Sequence, residues 1–232
     1  MADVDLEFSF DPVCPFCWVT AEWVWHVVER RSLRVRWRPL SLRILNEPIG
    51  YQDRPEGYPQ AHQRGLEMLR VVATARQQHG PEVVGELYRA MGRALWHTPE
   101  PSVDGFEAIL AECARPRDLT AILGEVGLPR ELATAAADAG WDEVLRADTE
   151  EAVERAGGEV GTPILSFDPP DGPAFFGPVI DRAPEGDDAL RLWDSITTLA
   201  RWPGFAELKR GLRAFPHTPL TAHLSGRATR VR

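Results

Sequence analysis

The chain has 232 residues, with 26 basic against 35 acidic side chains, a formal net charge of -9 and a pI of about 5.2. That charge argues against a nucleic-acid partner, and 44% hydrophobic with 26% charged residues describes an ordinary globular protein, not a disordered or collagen-like one. Three cysteines are too few, and odd in number, for the disulfide framework of a small secreted protein.

The N-terminus, Met1-Ala2-Asp3-Val4-Asp5-Leu6-Glu7, has acids where a secretory signal has a basic start and a continuous apolar stretch. No run of about 18 apolar residues occurs that would span a bilayer. The expectation is a cytoplasmic protein with no membrane partner.

Val4, Leu6, Phe8 and Phe10 alternate with polar residues, which predicts a strand over 4–10 that stops at Asp11-Pro12. Beyond Cys14-Pro15-Phe16-Cys17, the spacing of Val19, Trp23, Val24, Val27 and Val28 predicts one apolar helical face over 18–31. Leu33, Val35 and Trp37 alternate with Arg34, Arg36 and Arg38, predicting a second strand over 33–40. Strand, turn, helix, strand is the opening of a parallel βαβ unit. Residues 41–59, rich in Gly, Pro and Asn, read as a loop.

From 60 to 157 only helical patterns follow, over 65–79, 82–96, 103–114, 118–126, 130–139 and 141–156. They are broken at Gly80-Pro81, Pro99 to Pro101, Pro116, Gly127 to Pro129 and Gly140. Strand patterns return over 161–167 and 174–177, then helices over 187–201 and 204–211. The expected division is a first half of an α/β layer over 1–59, an all-helical insertion over 60–157, a second half over 158–215, and a loose tail over 216–232.

The chemistry lies in Cys14-Pro15-Phe16-Cys17. A thiol at a helix N-terminus faces unpaired N–H groups and the positive end of the helix dipole, which lower its pKa from about 8.5. Pro15 suits the first helical position, where its missing N–H costs nothing. Cys14 is therefore the expected exposed nucleophile and Cys17, one turn in, the resolving thiol. Half of a zinc site is the competing reading, but a zinc site needs four ligands and only Cys113 remains, so no metal is expected. Two unreactive core thiols are the other alternative. Cys113, on an apolar helical face, reads as a packed small hydrophobe.

In its order of elements the chain resembles the thioredoxin fold in its DsbA-like form, an α/β fold carrying a large all-helical insertion. Within that superfamily it is similar to the actinobacterial mycothiol-dependent nitroreductases. The matching residues are Cys14-Pro15-Phe16-Cys17-Trp18, Ser41 through Glu47, Gly92-Arg93 with His97, Val160-Gly161-Thr162-Pro163, Phe176 through Val179, and Pro203 through Lys209. The resemblance implies a cis-proline loop at Thr162-Pro163 facing the dithiol, and Asn46 and Tyr58 on the substrate side. Two departures stand out: Phe16 where the family carries Trp, and a loop over 46–58 of different length, which bears on the match of Tyr58.

No dinucleotide or P-loop glycine signature is present, so electrons are expected from thiols. The resemblance implies a Cys14/Cys17 dithiol that reduces a small, flat aromatic substrate and is recharged by a low-molecular-weight thiol, mycothiol, with no tightly bound cofactor. Phe16, Trp18, Tyr58 and His97 are candidates for an aromatic-lined cleft. Three of the site candidates have a plainer alternative: core packing for Trp18, a loop cap for Asn46, a helix C-terminal cation for His97. Trp23, Trp25, Trp37 and Trp193 are expected in the core. A thiol-dependent isomerase or transferase, a protein disulfide oxidoreductase and a non-enzymatic binding module of the same fold are the rival functions. Oligomeric state is open, a homodimer included.

Overall fold

The computed structural model describes residues 4–103, 105–211 and 214–224. Strand β1 (Leu6–Phe10) leads into helix α1 (Pro15–Val28) and strand β2 (Val35–Pro39). After α2 (Leu42–Leu45) come α3 (Tyr58–His79), α4 (Val83–Trp96), α5 (Phe106–Ala114) and α6 (Leu119–Glu125). Two 3-10 segments (Arg130–Ala137 and Ala139–Trp141) and α7 (Asp142–Arg155) precede strands β3 (Ile164–Phe167) and β4 (Ala174–Phe176), and α8 (Gly186–Ala200) follows.

The strands form one sheet in the order β2-β1-β3-β4. β1 and β2 are parallel, with Leu6 opposite Val35 and Phe10 opposite Pro39; β3 runs antiparallel to both β1 and β4. The expected βαβ unit is present. As the central strand, β1 is buried at every position. Its alternation nevertheless separates two different faces. Leu6, Phe8 and Phe10 join the apolar core, with Phe8 against Trp37 at 4.8 Å.

The opposite face is held by charge. Glu7 accepts from Arg36, Arg38 and Arg155 at 3.3, 3.4 and 3.3 Å, and Asp148 of α7 accepts from Arg38 and Arg76 at 2.5 and 2.6 Å. Of the arginines that alternate along β2, Arg38 reaches α7 through Asp148 and Glu151, and Arg155 of α7 returns to Glu7, so these ion pairs dock α7 on the sheet. Because these groups are largely out of water, removing one partner would strand the others unpaired.

Five expectations change. Residues 42–45, expected as part of a loop, form α2, with the Ser41 side chain capping its start. Helix α3 starts at Tyr58, not at residue 65, with Gly57 at φ 93 taking the left-handed turn before it. Residues 130–137 are 3-10, not α-helical. The helix expected over 204–211 is absent: Leu208 is 82% exposed, so the segment has no face to bury, and a short helix without burial does not repay its nucleation. The loose tail is only partly so. Thr218 and Thr221 form a reciprocal capping box, and Phe215, Leu220 and Leu224 enter the core. Two or three apolar anchors suffice for that docking, too few to show as periodicity. Residues 225–232 lie outside the described residues. Among the described residues, no helix is long and apolar enough to cross a membrane.

Candidate active site

Cys14 is the N-cap of α1, and its side chain accepts from the Cys17 N–H at 3.4 Å, with Pro15 in the first turn. The sulfur therefore takes the place of the usual capping oxygen. The Thr162-Pro163 peptide bond is cis, and this loop meets the dithiol from the other side. The Thr162 hydroxyl donates to Cys14 Sγ at 3.1 Å, and the Thr162 carbonyl lies 3.9 Å from the same sulfur. All three cysteines are free thiols. Cys14 is 5% exposed and Cys17 fully buried. Cys14 is thus the more accessible of the two but far less exposed than expected, because the cap and the cis-proline loop enclose it.

Burial raises both active-site thiols. At Cys14 it is outweighed by hydrogen bonds from the Cys17 thiol, the Thr162 hydroxyl and the Cys17 N–H, against an opposing push from the Asp11 carboxylate, and the thiol is held below its ordinary value. Cys17 is driven well above it by burial and then by its neighbour Cys14. Burial, against the pull of Arg117, pushes Cys113 up to about 12, in keeping with a packed thiol.

Asp11, read in the sequence only as the end of a strand, is fully buried. Its carboxylate accepts from Val13 N at 3.0 Å and Leu42 N at 2.7 Å, tying the approach to the dithiol to the start of α2. Burial pushes it up to about 7, against the pull of those two N–H groups. The signal was an acid three residues before a thiol with no helix of its own to cap. Opposite shifts are expected from two variants. Thr162→Val removes a donor to the Cys14 thiolate and should move the pH profile of Cys14 alkylation upward, while Asp11→Asn removes a repelling charge and should move it downward. Alkylation rates against pH, with the modified cysteine identified by mass spectrometry, test both signs.

The other expected site residues fall into two groups. Phe16 packs on Phe215 at 6.1 Å, Phe215 on Phe106 at 5.7 Å, and Phe106 on Tyr58 at 5.7 Å. Tyr58 opens α3 and lies close enough to Cys14 to feel its charge. Asn46 is the C-cap of α2 and donates its amide to Leu42 O at 2.8 Å, while also lining a cavity of about 410 Å³. Asn46 thus closes the end of a short helix and also stands on a cavity wall.

Trp18 and His97 lie elsewhere. Trp18 is 2% exposed and packs among Trp25, Tyr88 and His97. His97 caps the end of α4 and pairs with Glu22 at 3.4 Å. For Trp18 packing is what the structure displays, and Trp23, Trp25, Trp37 and Trp193 are buried as well. Sequence reasoning missed Phe106 and Phe215, whose apolar spacing resembles any core residue, and His62, which had no metal spacing to mark it.

A family model described as mycothiol-dependent nitroreductase Rv2466c (Rv2466c-like) matches residues 13–210. The chain belongs to this family of mycothiol-dependent nitroreductases. Its members' activity makes it an enzyme, a thiol-dependent oxidoreductase. An uncharacterized Mycobacterium tuberculosis protein, Rv2286c, is 29% identical over 210 residues, 88% of this chain and 81% of that one.

Among solved structures, the cytosolic disulfide reductase DsbM from Pseudomonas aeruginosa with GSH aligns at a TM-score of 0.51 and 17% identity, covering 84% of this chain and 99% of that one. The probable DsbA oxidoreductase SCO1869 from Streptomyces coelicolor aligns at 0.49 and 17%, covering 88% and 92%. The fold is accordingly the DsbA-like thioredoxin fold, and the nitroreductase family supplies the helical segment between β2 and β3 as part of its matched length.

Proposed function

We propose that Cys14 and Cys17 form the redox couple that reduces a small nitroaromatic substrate in the cytoplasm, and that mycothiol recharges it. The observation that carries this reading is the asymmetry of the two thiols: Cys14 is held low by three hydrogen bonds, and Cys17 is held high beside it. In the reductive half, the two thiols give up two electrons and two protons. One N–O bond of the nitro group breaks, the oxygen leaves as water, a nitroso product forms, and Cys14 and Cys17 close a disulfide.

In the second half one mycothiol thiolate attacks Cys14, the more exposed of the two residues, and Cys17 leaves as the thiolate and takes up a proton. A second mycothiol attacks the sulfur of the first, releasing mycothiol disulfide and the Cys14 thiolate. The partly buried rings of Phe16, Phe106 and Tyr58, backed by the buried Phe215, form the wall against which a flat ring stacks. The near-complete enclosure of Cys14 favours a slim acceptor over a protein disulfide.

The test mixes reduced protein with a nitroaromatic and, separately, with a protein disulfide, then titrates thiols. Loss of two thiols per molecule only with the nitroaromatic is the expected outcome. Thiol loss only with the protein disulfide, or product without thiol loss, would replace this reading with the folding-oxidoreductase or the isomerase reading respectively.

A further inference from the structure

The row of rings does not end at Tyr58. His62 meets Tyr58 at 5.3 Å and Tyr51 at 5.6 Å, and the Tyr51 hydroxyl is 3.0 Å from His62 Nδ1. The row therefore leads from Phe16, between the two cysteines, to Tyr51 on the wall of the cavity of about 410 Å³. Two guanidinium groups lie over it: Arg43 over Tyr51 at 5.3 Å, and Arg54 over Tyr58 at 5.9 Å.

Neither arginine has a carboxylate partner among the described residues. Glu47, which shares the cavity wall, is taken by Arg146 at 2.7 Å. Asp53 and Glu56, beside Arg54 in the chain, form no ion pair with it among the described residues. Elsewhere the protein pairs its arginines closely, as at Glu7 and Asp148. The imidazole of His62 also registers this local field: burial, then Arg54, then Arg43 push it down to about 4, so it stays neutral and leaves the positive charge to the two arginines. In a chain of net charge -9, two uncompensated guanidinium groups at one end of an aromatic wall make a site for an anion.

We infer that Arg43 and Arg54 form a carboxylate-binding subsite around His62, at the Tyr58–Tyr51 end of the aromatic row, so that the substrate is an aromatic acid whose ring lies on the dithiol side of Tyr58 and whose carboxylate lies between the two arginines. This rests on the proposed nitroaromatic reduction for the identity of the reacting group, but the binding itself is independent of turnover. Guanidinium suits the role because its fork matches a carboxylate while its face remains on the tyrosine.

The experiment measures binding of para-nitrobenzoate and para-nitrobenzamide to the oxidised protein by calorimetry, with turnover of the same two compounds by the reduced protein in parallel. The carboxylate should bind about tenfold more tightly than the amide, the scale of one charge-assisted hydrogen bond. Arg43→Gln and Arg54→Gln should each bring that ratio close to unity, and Arg54→Glu should reverse it. Equal binding of the two compounds by the unaltered protein, or a preference that survives both glutamine variants, overturns the subsite. Selective binding of the carboxylate without nitro consumption or thiol loss leaves the subsite standing and removes the nitroreductase reading instead.

Discussion

Replacement of Cys14 by serine is expected to lower nitroaromatic turnover by on the order of a thousandfold or more, because a hydroxyl at that cap carries no accessible two-electron couple. The companion variant separates the two sulfurs. Cys17→Ser, incubated with mycothiol disulfide, should accumulate a one-to-one mycothiol adduct on Cys14: the Cys14 thiolate attacks the disulfide, one mycothiol leaves, and no neighbouring thiol remains to expel the other. Mass spectrometry of the intact protein and of its peptides reads both outcomes. Full turnover by Cys14→Ser would remove the dithiol mechanism, and an adduct on Cys17 in the Cys14→Ser protein would reverse the assigned roles.

The largest expected loss of stability comes from Gly92→Ala. Gly92 faces Trp18 across the α1/α4 contact, and a methyl group there would fall well inside van der Waals contact of the indole ring. The ring has little room to retreat, since Trp25, Tyr88 and His97 hold it edge-on at 5.5, 6.1 and 5.5 Å. Overpacking of this kind costs about 3 kcal/mol, which in a chain of this size lowers Tm by roughly 10 °C. Gly211→Ala, where nothing lies within 4 Å of the added carbon, is the control and should change Tm by less than about 1 °C. A Gly92→Ala protein that melts with the unaltered one would show that α1 and α4 separate more easily than their packing indicates. The position matters beyond stability, because Trp18 follows Cys17 directly and anchors the helix whose first turn presents the thiols.

The Gly92-Arg93 pair entered the sequence reading through resemblance alone, and its physical content became visible only as a contact between helices. The same division runs through the site. Cys14, Cys17 and Pro15 were legible because their chemistry is local: a cap sulfur, a first-turn proline and a second thiol one turn on need only the strand-to-helix transition around them. Thr162 was reachable by resemblance, yet its hydroxyl on Cys14 Sγ joins residues 148 positions apart, and no periodicity records such a pairing. Trp18 and His97 were expected near the substrate because they are close in sequence to the motif or to family residues. Trp18 lies in the packing between α1 and α4, since the residue after Cys17 turns its side chain toward Tyr88, and His97 is exposed at the end of α4 beside Glu22.

The pattern of the sheet shows a related limit. Alternation along β1 and β2 marked strands correctly, but it carries no information on what the polar face meets. Glu7 is buried, because α7 covers that face, and its carboxylate is satisfied by Arg36 and Arg38 of the neighbouring strand and by Arg155 of α7. Periodicity distinguishes the two faces of a strand; it does not say whether the polar one meets solvent or a partner of opposite charge.

By itself, then, the amino-acid sequence determined the βαβ opening, the run of helices between the strands, the dithiol and its place at a helix N-terminus, and the single packed thiol Cys113. All of these depend on interactions spanning a few residues, where propensity, capping and spacing act directly. Only the tertiary structure decided that Asp11 is a buried carboxyl tied to α2, that Cys14 is enclosed, that 204–211 remains unwound, and that Phe215 and Phe106 join Phe16 to Tyr58. Those outcomes depend on which distant surfaces meet. Water is removed from a carboxylate, or two rings brought into contact, by elements that approach from remote parts of the chain, and the energy of that approach is not carried by any local stretch of sequence.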